Sequence, residues 1–211
     1  MQRLRVQFSK LEPLRFLSHL DLLRLWERAV RRAGLPLAYS EGFSPHPRIS
    51  LALPLPVGIT SEAEIAEVNL DRWIALQAFL IKLSPQMPEG LKLGEVLPLP
   101  SEAPPLPSQV TAAEYRVTGH GSRPEITDAI KRLLSASAIP WSHLRGAESR
   151  SYDLRPLIND LWLEDNCGPP VIAMRLRADP GGSGRPDQVY RALGFSGVPD
   201  DIHRTRIILK S

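Results

Sequence analysis

A single cysteine, Cys167, is all the chain carries. That excludes an intrachain disulfide and leaves no thiolate cluster to hold zinc or an iron–sulfur centre. Long apolar runs are also missing. The longest, residues 51–59, contains two prolines and falls far short of the roughly 20 residues that cross a bilayer. The opening MQRLRVQFSK lacks the apolar core of an export signal, so the expected location is the cytoplasm, with no membrane partner. No GxSxG, HExxH or paired-carboxylate motif is present, and no metal or cofactor is expected. GGSG at residues 181–184 lacks the Lys-Ser/Thr that a nucleotide loop needs and reads as a flexible connection.

What is present is enough apolar content, 43% of 211 residues, for two cores of about 100 residues each. The net charge of +3 is unevenly spread: residues 1–50 hold nine Lys/Arg against four Asp/Glu. Such asymmetry points to an anionic partner, or to an ordinary solvated face.

The proline-dense stretch PLPSEAPPLPS ends regular patterning and separates two regions. The expected organisation is a first domain over 1–100, a linker over 101–113 and a second domain over 114–211. In the first, Leu4, Val6 and Phe8 alternate as a strand, and Ser18 with Asp21 opens a helix that Gly34 and Pro36 end. Strands follow over 49–55 and 66–70, then a helix over 72–83 and a strand over 91–97. The second domain repeats the order: a strand at Tyr115 and Val117, a helix at 126–134, strands near 139–145 and 171–177, a helix from Pro186 to Gly194 and a last strand at 205–209. Residues 152–162 admit either strand or helix, and the form of residues 146–165 is left open. The predicted fold class is α+β, two tandem ferredoxin-like domains of β-α-β-β-α-β order.

Three constellations carry chemistry. Arg24, Arg28, Arg31 and Arg32 span roughly 100° of the first helix, opposite Trp26, as a basic stripe suited to phosphates. The competing reading is a solvated face in which Glu27 pairs with Arg31 and Asp21 with Arg24. In the second domain Arg116, Arg175, Arg177, Arg204, Arg206 and Lys210 fall out of phase with the core and predict a basic sheet face. Those strands lack the aromatics that would stack RNA bases. The loop SEGFSPHPR supplies Ser40, Glu41, His46 and Arg48 on a path shaped by Gly42, Pro45 and Pro47, with Phe43 among them. His46 and His19 are the candidate acid–base groups; each also reads as an ordinary loop or packing residue.

The stretch RFLSHLDLLRLWERAVRRAGLPLAYSEGFSPHPRISLALPLPVGITSEAE, residues 15–64, closely resembles the signature of the radical-SAM-linked domain of unknown function, and SYDLRPLI, residues 151–158, resembles a second segment of it. The resemblance marks His19, Asp21, Arg24, Arg28, Gly42, Phe43, Pro45 and His46 as signature positions, and it implies a radical SAM protein as partner. The chain itself lacks the three cysteines of a radical SAM centre. The architecture is also similar to CRISPR repeat-processing endoribonucleases, although their glycine-rich loop has only a poor counterpart at residues 193–199. The function these readings support is a non-catalytic accessory module that binds RNA, or an RNA-containing substrate, for a radical SAM protein. The alternatives are a metal-independent endoribonuclease and a purely structural protein-docking domain.

Overall fold

The computed structural model describes residues 1–145, 148–165 and 167–210, with side chains described outside 143–150. Residues 146 and 147 of the stretch whose form the sequence leaves open lie outside the described residues. The chain divides into two compact units, Met1–Val110 and Thr111–Ser211, of α+β architecture.

Unit 1 begins with β1 (Gln2–Lys10), in which Leu4, Val6 and Phe8 are buried on one face. Helix α1 (His19–Arg32) starts where the Ser18 side chain accepts the Asp21 backbone N–H, and Gly34, at φ 63°, lets the chain turn away from its end. Its face of Leu22, Trp26, Ala29 and Val30 packs against the sheet, with Trp26 edge-on to Phe8 at 5.1 Å between ring centroids. β2 (Ile49–Leu51), β3 (Thr60–Leu70), α2 (Leu76–Leu83) and β4 (Leu93–Leu99) follow, then the short α3 (Leu106–Gln109). The strands lie in the order β2-β3-β1-β4, and every pair is antiparallel.

β2 is shorter than the alternation of 49–55 predicts, because Pro54 and Pro56 have no N–H to offer a ladder. α2 starts four residues later than predicted. Before it, Ile74 donates its N–H to Gln2 Oε1 at 2.8 Å and accepts from Gln2 Nε2 at 3.0 Å, which ties residues 72–74 to the start of β1.

Unit 2 is built from β5 (Val110–Thr118), α4 (Arg123–Ser135), the hairpin β6 (Pro140–Arg145) and β7 (Glu148–Asp153), β8 (Ile158–Leu163), β9 (Val171–Asp179), β10 (Gly182–Ser183), α5 (Pro186–Ala192) and β11 (Asp201–Leu209). The β6–β7 hairpin is a separate two-stranded sheet. The main sheet runs β10-β9-β5-β11, and β8 also pairs with β9. α4 opens with a full capping box between Ser122 and Glu125, which keeps the Glu125 carboxyl below its usual range.

The open stretch resolves as the end of β7, a single 3₁₀ turn over Arg155–Leu157, and β8. Asp153 organises it by accepting the N–H groups of Ile139 at 2.7 Å and Arg155 at 2.9 Å. GGSG is a tight approach rather than a flexible connection: a Cβ on Gly184 would lie 2.7 Å from the Leu157 carbonyl oxygen, and one on Gly182 2.8 Å from Leu157 Cδ2.

Candidate nucleic-acid interface

With the apolar side of α1 committed to the core, Arg24, Arg28, Arg31 and Arg32 all face solvent. They are not equivalent. Arg24 lies 3.5 Å from Asp21 and Arg31 3.6 Å from Glu27, both on the exposed surface, where such pairs are worth about 0–1 kcal/mol. Arg32 is anchored, donating to the Gln86 carbonyl at 2.7 Å. Arg28 has no ion-pair partner among the described residues.

The loop at residues 40–48 is clamped at its base. Ser40 N–H donates to the His46 carbonyl and His46 N–H to Ser40 Oγ, both at 2.9 Å, while Arg48 N–H donates to Ala38 at 2.8 Å. Gly42 takes φ 113° at the tip, a value a side-chain-bearing residue rarely adopts. Glu41, Phe43, Pro45 and His46 are exposed, and Arg48 is half-buried. Arg48 also lines a cavity of about 590 Å3 with Arg3, Ser50, Glu67, Asn69 and Leu106.

Glu67 is the charged centre of that wall. It is nearly inaccessible, its side chain 2% exposed, and it meets Arg3 at 2.5 Å and Arg5 at 2.8 Å. Arg3 reaches on to the carbonyls of Ala103 and Pro104, so residues inside the predicted 101–113 linker are fastened to β1.

The two candidate histidines are not brought together. His19 begins α1 near Glu64, whose strand partner is Phe8, whereas His46 sits by Ser40 and Arg48, whose carbonyl pairs with Asn69. Five residues of β3 separate Glu64 from Asn69, about 16 Å at strand rise. His19 Nδ1 is buried with no hydrogen-bond partner among the described residues, and burial lowers the pKa of the ring despite the opposing pull of Glu64. The buried Lys10 nearby donates to the carbonyls of Arg15 and Leu17 at 3.0 and 3.1 Å, a bracing arrangement for the turn that leads into α1.

The sign of the His19 effect follows from linkage. With its folded pKa below 6.5, the unfolded chain takes up the proton first, so stability is lost as pH falls below 6.5 and continues to fall until the folded ring titrates. His19→Gln is expected to flatten that loss relative to the parent. Thermal melts of both proteins between pH 7.5 and 5 check it, and an unchanged pH dependence would contradict it.

The basic face predicted for the second domain is largely neutralised. Arg116 meets Glu164 at 2.6 Å, Arg175 meets Glu114 at 2.8 Å across the β5–β9 ladder, and Arg177 meets Asp179 at 2.6 Å, holding that carboxyl below its usual range. Arg204 is a clear correction: it is buried, 1% exposed, with its guanidinium 5.4 Å from the Tyr115 ring centroid and its Nη2 donating to Tyr115 Oη at 3.2 Å. The alternation of β11 breaks after Arg204, which shares the buried side with Ile202 before Ile207 takes it over. Arg206 and Lys210 remain exposed.

Two further features carry no sequence motif. A cavity of about 780 Å3 in unit 2 is lined by Tyr152, Asp153, Arg177, Gly181, Arg185 and Gln188, and its arginines are satisfied by Asp179 and Asp187. In unit 1, Arg72 and Trp73 stand exposed in the turn after β3; the only trace in sequence is an aromatic next to a cation just past a strand. No cluster of three metal-ligating side chains occurs among the described residues, and no helix there is long and apolar enough to cross a membrane.

Residues 3–186 match the family described as an uncharacterized protein conserved in bacteria, DUF2344. No curated protein matches significantly. Among solved structures, a chain of a Cbf5-Nop10-Gar1 complex aligns with 97% of this chain at 12% identity and a TM-score of 0.50. A chain of an archaeal box H/ACA sRNP Nop10-Cbf5 complex aligns over the same share at 10% identity and 0.49. This chain spans about half of each, 48%. At 12% identity the first likeness concerns the fold alone.

Proposed function

The chain belongs to DUF2344, a family of uncharacterized bacterial proteins, and we propose that within it this protein is a non-catalytic module that binds RNA through the exposed arginines of α1. The observation that carries the reading is their placement: Arg24, Arg28 and Arg31 project from one solvent-facing side of a helix whose opposite side is committed to the core, and no acid among the described residues pairs with Arg28. Guanidinium forks in a row suit successive phosphate oxygens and release counterions on contact. The arginines of unit 2 support the reading less, since Arg116, Arg175 and Arg177 are matched by acids and Arg204 is buried.

The partner in this proposal is a radical SAM protein to which the bound RNA is presented. Its support is the resemblance of residues 15–64 and 151–158 to the radical-SAM-linked domain, together with the lack of any cysteine set for such a centre in this chain. Two copies of one ferredoxin-like plan are part of the same reading: β5-α4-β8-β9-α5-β11 repeats the element order of β1-α1-β2-β3-α2-β4 once the β6–β7 hairpin and the two-residue β10 are set aside. An endoribonuclease that uses both histidines together is not favoured, because the β3 residues they lie beside, Glu64 and Asn69, are five residues apart.

Two measurements test the proposal. Binding of the purified chain to tRNA and rRNA fragments is expected to weaken steeply between 50 and 200 mM salt, and no salt-sensitive binding would overturn the RNA reading. The tagged chain recovered from its native lysate is expected to carry a radical SAM protein identified by mass spectrometry. Its absence, with and without RNase treatment, would remove the partner from the proposal.

A further inference from the structure

Alongside Phe16 at 76%, the exposed large aromatic side chains of unit 1 include Phe43 and Trp73, at 110% and 74%. Phe43 and Trp73 belong to one end of the unit. Leu37 bridges to Leu70, Asp71 N–H donates to the Pro36 carbonyl at 2.9 Å, and Asn69 N–H donates to Arg48 at 3.0 Å. The C-terminal end of α1, the loop at 40–48 and the turn at 71–74 therefore meet at the far end of β3. Trp73 is three residues past Leu70, within about 11 Å along the chain, and Phe43 is four residues from the Tyr39–Pro47 bridge.

Neither ring is exposed for want of structure around it. The loop is held by the paired Ser40 and His46 hydrogen bonds and by two prolines, and Trp73 precedes Ile74, which is fastened to Gln2. A ring displayed on a braced scaffold meets a ligand with little ordering cost. Its neighbours are polar: Glu41, Gly42 and Ser44 around Phe43, and Asp71 and Arg72 beside Trp73. Isolated rings among charges do not make the contiguous apolar patch that a protein partner covers. Arg31 and Arg32 at the end of α1, Arg48 and Arg72 supply positive charge here against Glu41 and Asp71 in the two segments, and Arg72 has no ion-pair partner among the described residues.

We infer that this end of unit 1 takes a short single-stranded stretch of RNA, with bases stacked on Phe43 and Trp73 and phosphates on Arg48 and Arg72. The inference rests on the RNA-binding reading above and deepens it by naming the form of the nucleic acid. Every base offers a π-face, but only an unpaired strand exposes it, so stacking platforms interleaved with cations select single strands over duplexes without reading sequence.

The test uses the full chain, a fluorescein-labelled 12-nucleotide single-stranded RNA and its duplex, read by anisotropy, with Phe43→Ala/Trp73→Ala as the variant. The single strand is expected to bind more tightly than the duplex. The double variant is expected to lose about 25-fold in single-strand affinity, at roughly 5-fold per ring, with the salt dependence unchanged because no phosphate contact is removed. Both positions are exposed, so an unaltered melting temperature confirms that the variant is folded. Equal binding of both RNAs, with the double variant binding like the parent, overturns this inference and leaves the RNA reading standing. Binding of neither RNA by the parent overturns both.

Discussion

Replacing Glu67 with alanine is expected to destabilise the protein by about 3–5 kcal/mol, the cost of leaving buried charge without its partner. The Glu67 carboxylate accepts from Arg3 Nε at 3.0 Å and from the Nη2 groups of Arg3 and Arg5 at 2.5 and 2.8 Å. Both guanidinium groups are mostly covered, and Arg5 Nε has no hydrogen-bond partner among the described residues. With the carboxylate gone, Arg3 keeps its bonds to the Ala103 and Pro104 carbonyls and Arg5 keeps Gln109 at 3.0 Å, so two cations remain in a wall with no compensating charge. Against a total stability of about 5–15 kcal/mol the loss is large, and urea unfolding at pH 7 reads it directly.

The companion substitution separates charge burial from packing. Arg3→Met/Arg5→Leu/Glu67→Leu removes the whole triad together, and apolar replacement of a buried ion cluster is often neutral or stabilising. A triple variant near parental stability beside a crippled Glu67→Ala would place the cost in the unpaired arginines. Loss of similar size in both would assign it to packing along β1 and β3.

This triad also shows what sequence periodicity can and cannot reach. Alternation in residues 2–10 sends Arg3 and Arg5 to the side opposite Leu4, Val6 and Phe8, and that much is local. Their partner lies more than sixty residues away, and only the register of Arg5 opposite Glu67 brings it into place. The same limit explains the second unit. Arg116, Arg175 and Arg177 are legible as out of phase with the core, but Glu164 and Glu114, which neutralise the first two, come into place only once β5, β8 and β9 pair, whereas Asp179 lies two residues from Arg177 on β9 itself.

Helix α1 was legible in detail because its determinants are local: a Ser18 cap, apolar spacing of three and four, and Gly34 at its end. The elements misjudged were those where a remote contact overrides local preference. Gln2 holds residues 72–74 out of α2, and Tyr115 draws Arg204 into the interior. Of the proposed interface, the arginine stripe and the braced loop could be read in advance. Trp73 could not, since a lone tryptophan is by default a core residue, and only the structure leaves it in solvent.

The sharpest functional prediction concerns Arg24, Arg28 and Arg31. Their replacement by glutamine together is expected to weaken RNA binding about 100-fold at 0.1 M salt and to shallow the dependence of log K on log salt by about 2. The magnitude follows from counterion release: each phosphate contact on a single strand contributes a slope of roughly −0.7, hence about 5-fold at 0.1 M relative to 1 M, and three contacts multiply. Arg32 is left intact because its bond to the Gln86 carbonyl holds the end of α1, and its loss would confuse binding with stability. Glutamine keeps helix propensity, and the Asp21 and Glu27 pairs that are lost are exposed ones of small value. A deficit that closes as salt rises toward 1 M identifies electrostatic contact. A triple variant that binds RNA with parental affinity and slope would exclude α1 as the binding face, and the phosphate partners would then have to be sought among Arg48, Arg72, Arg206 and Lys210.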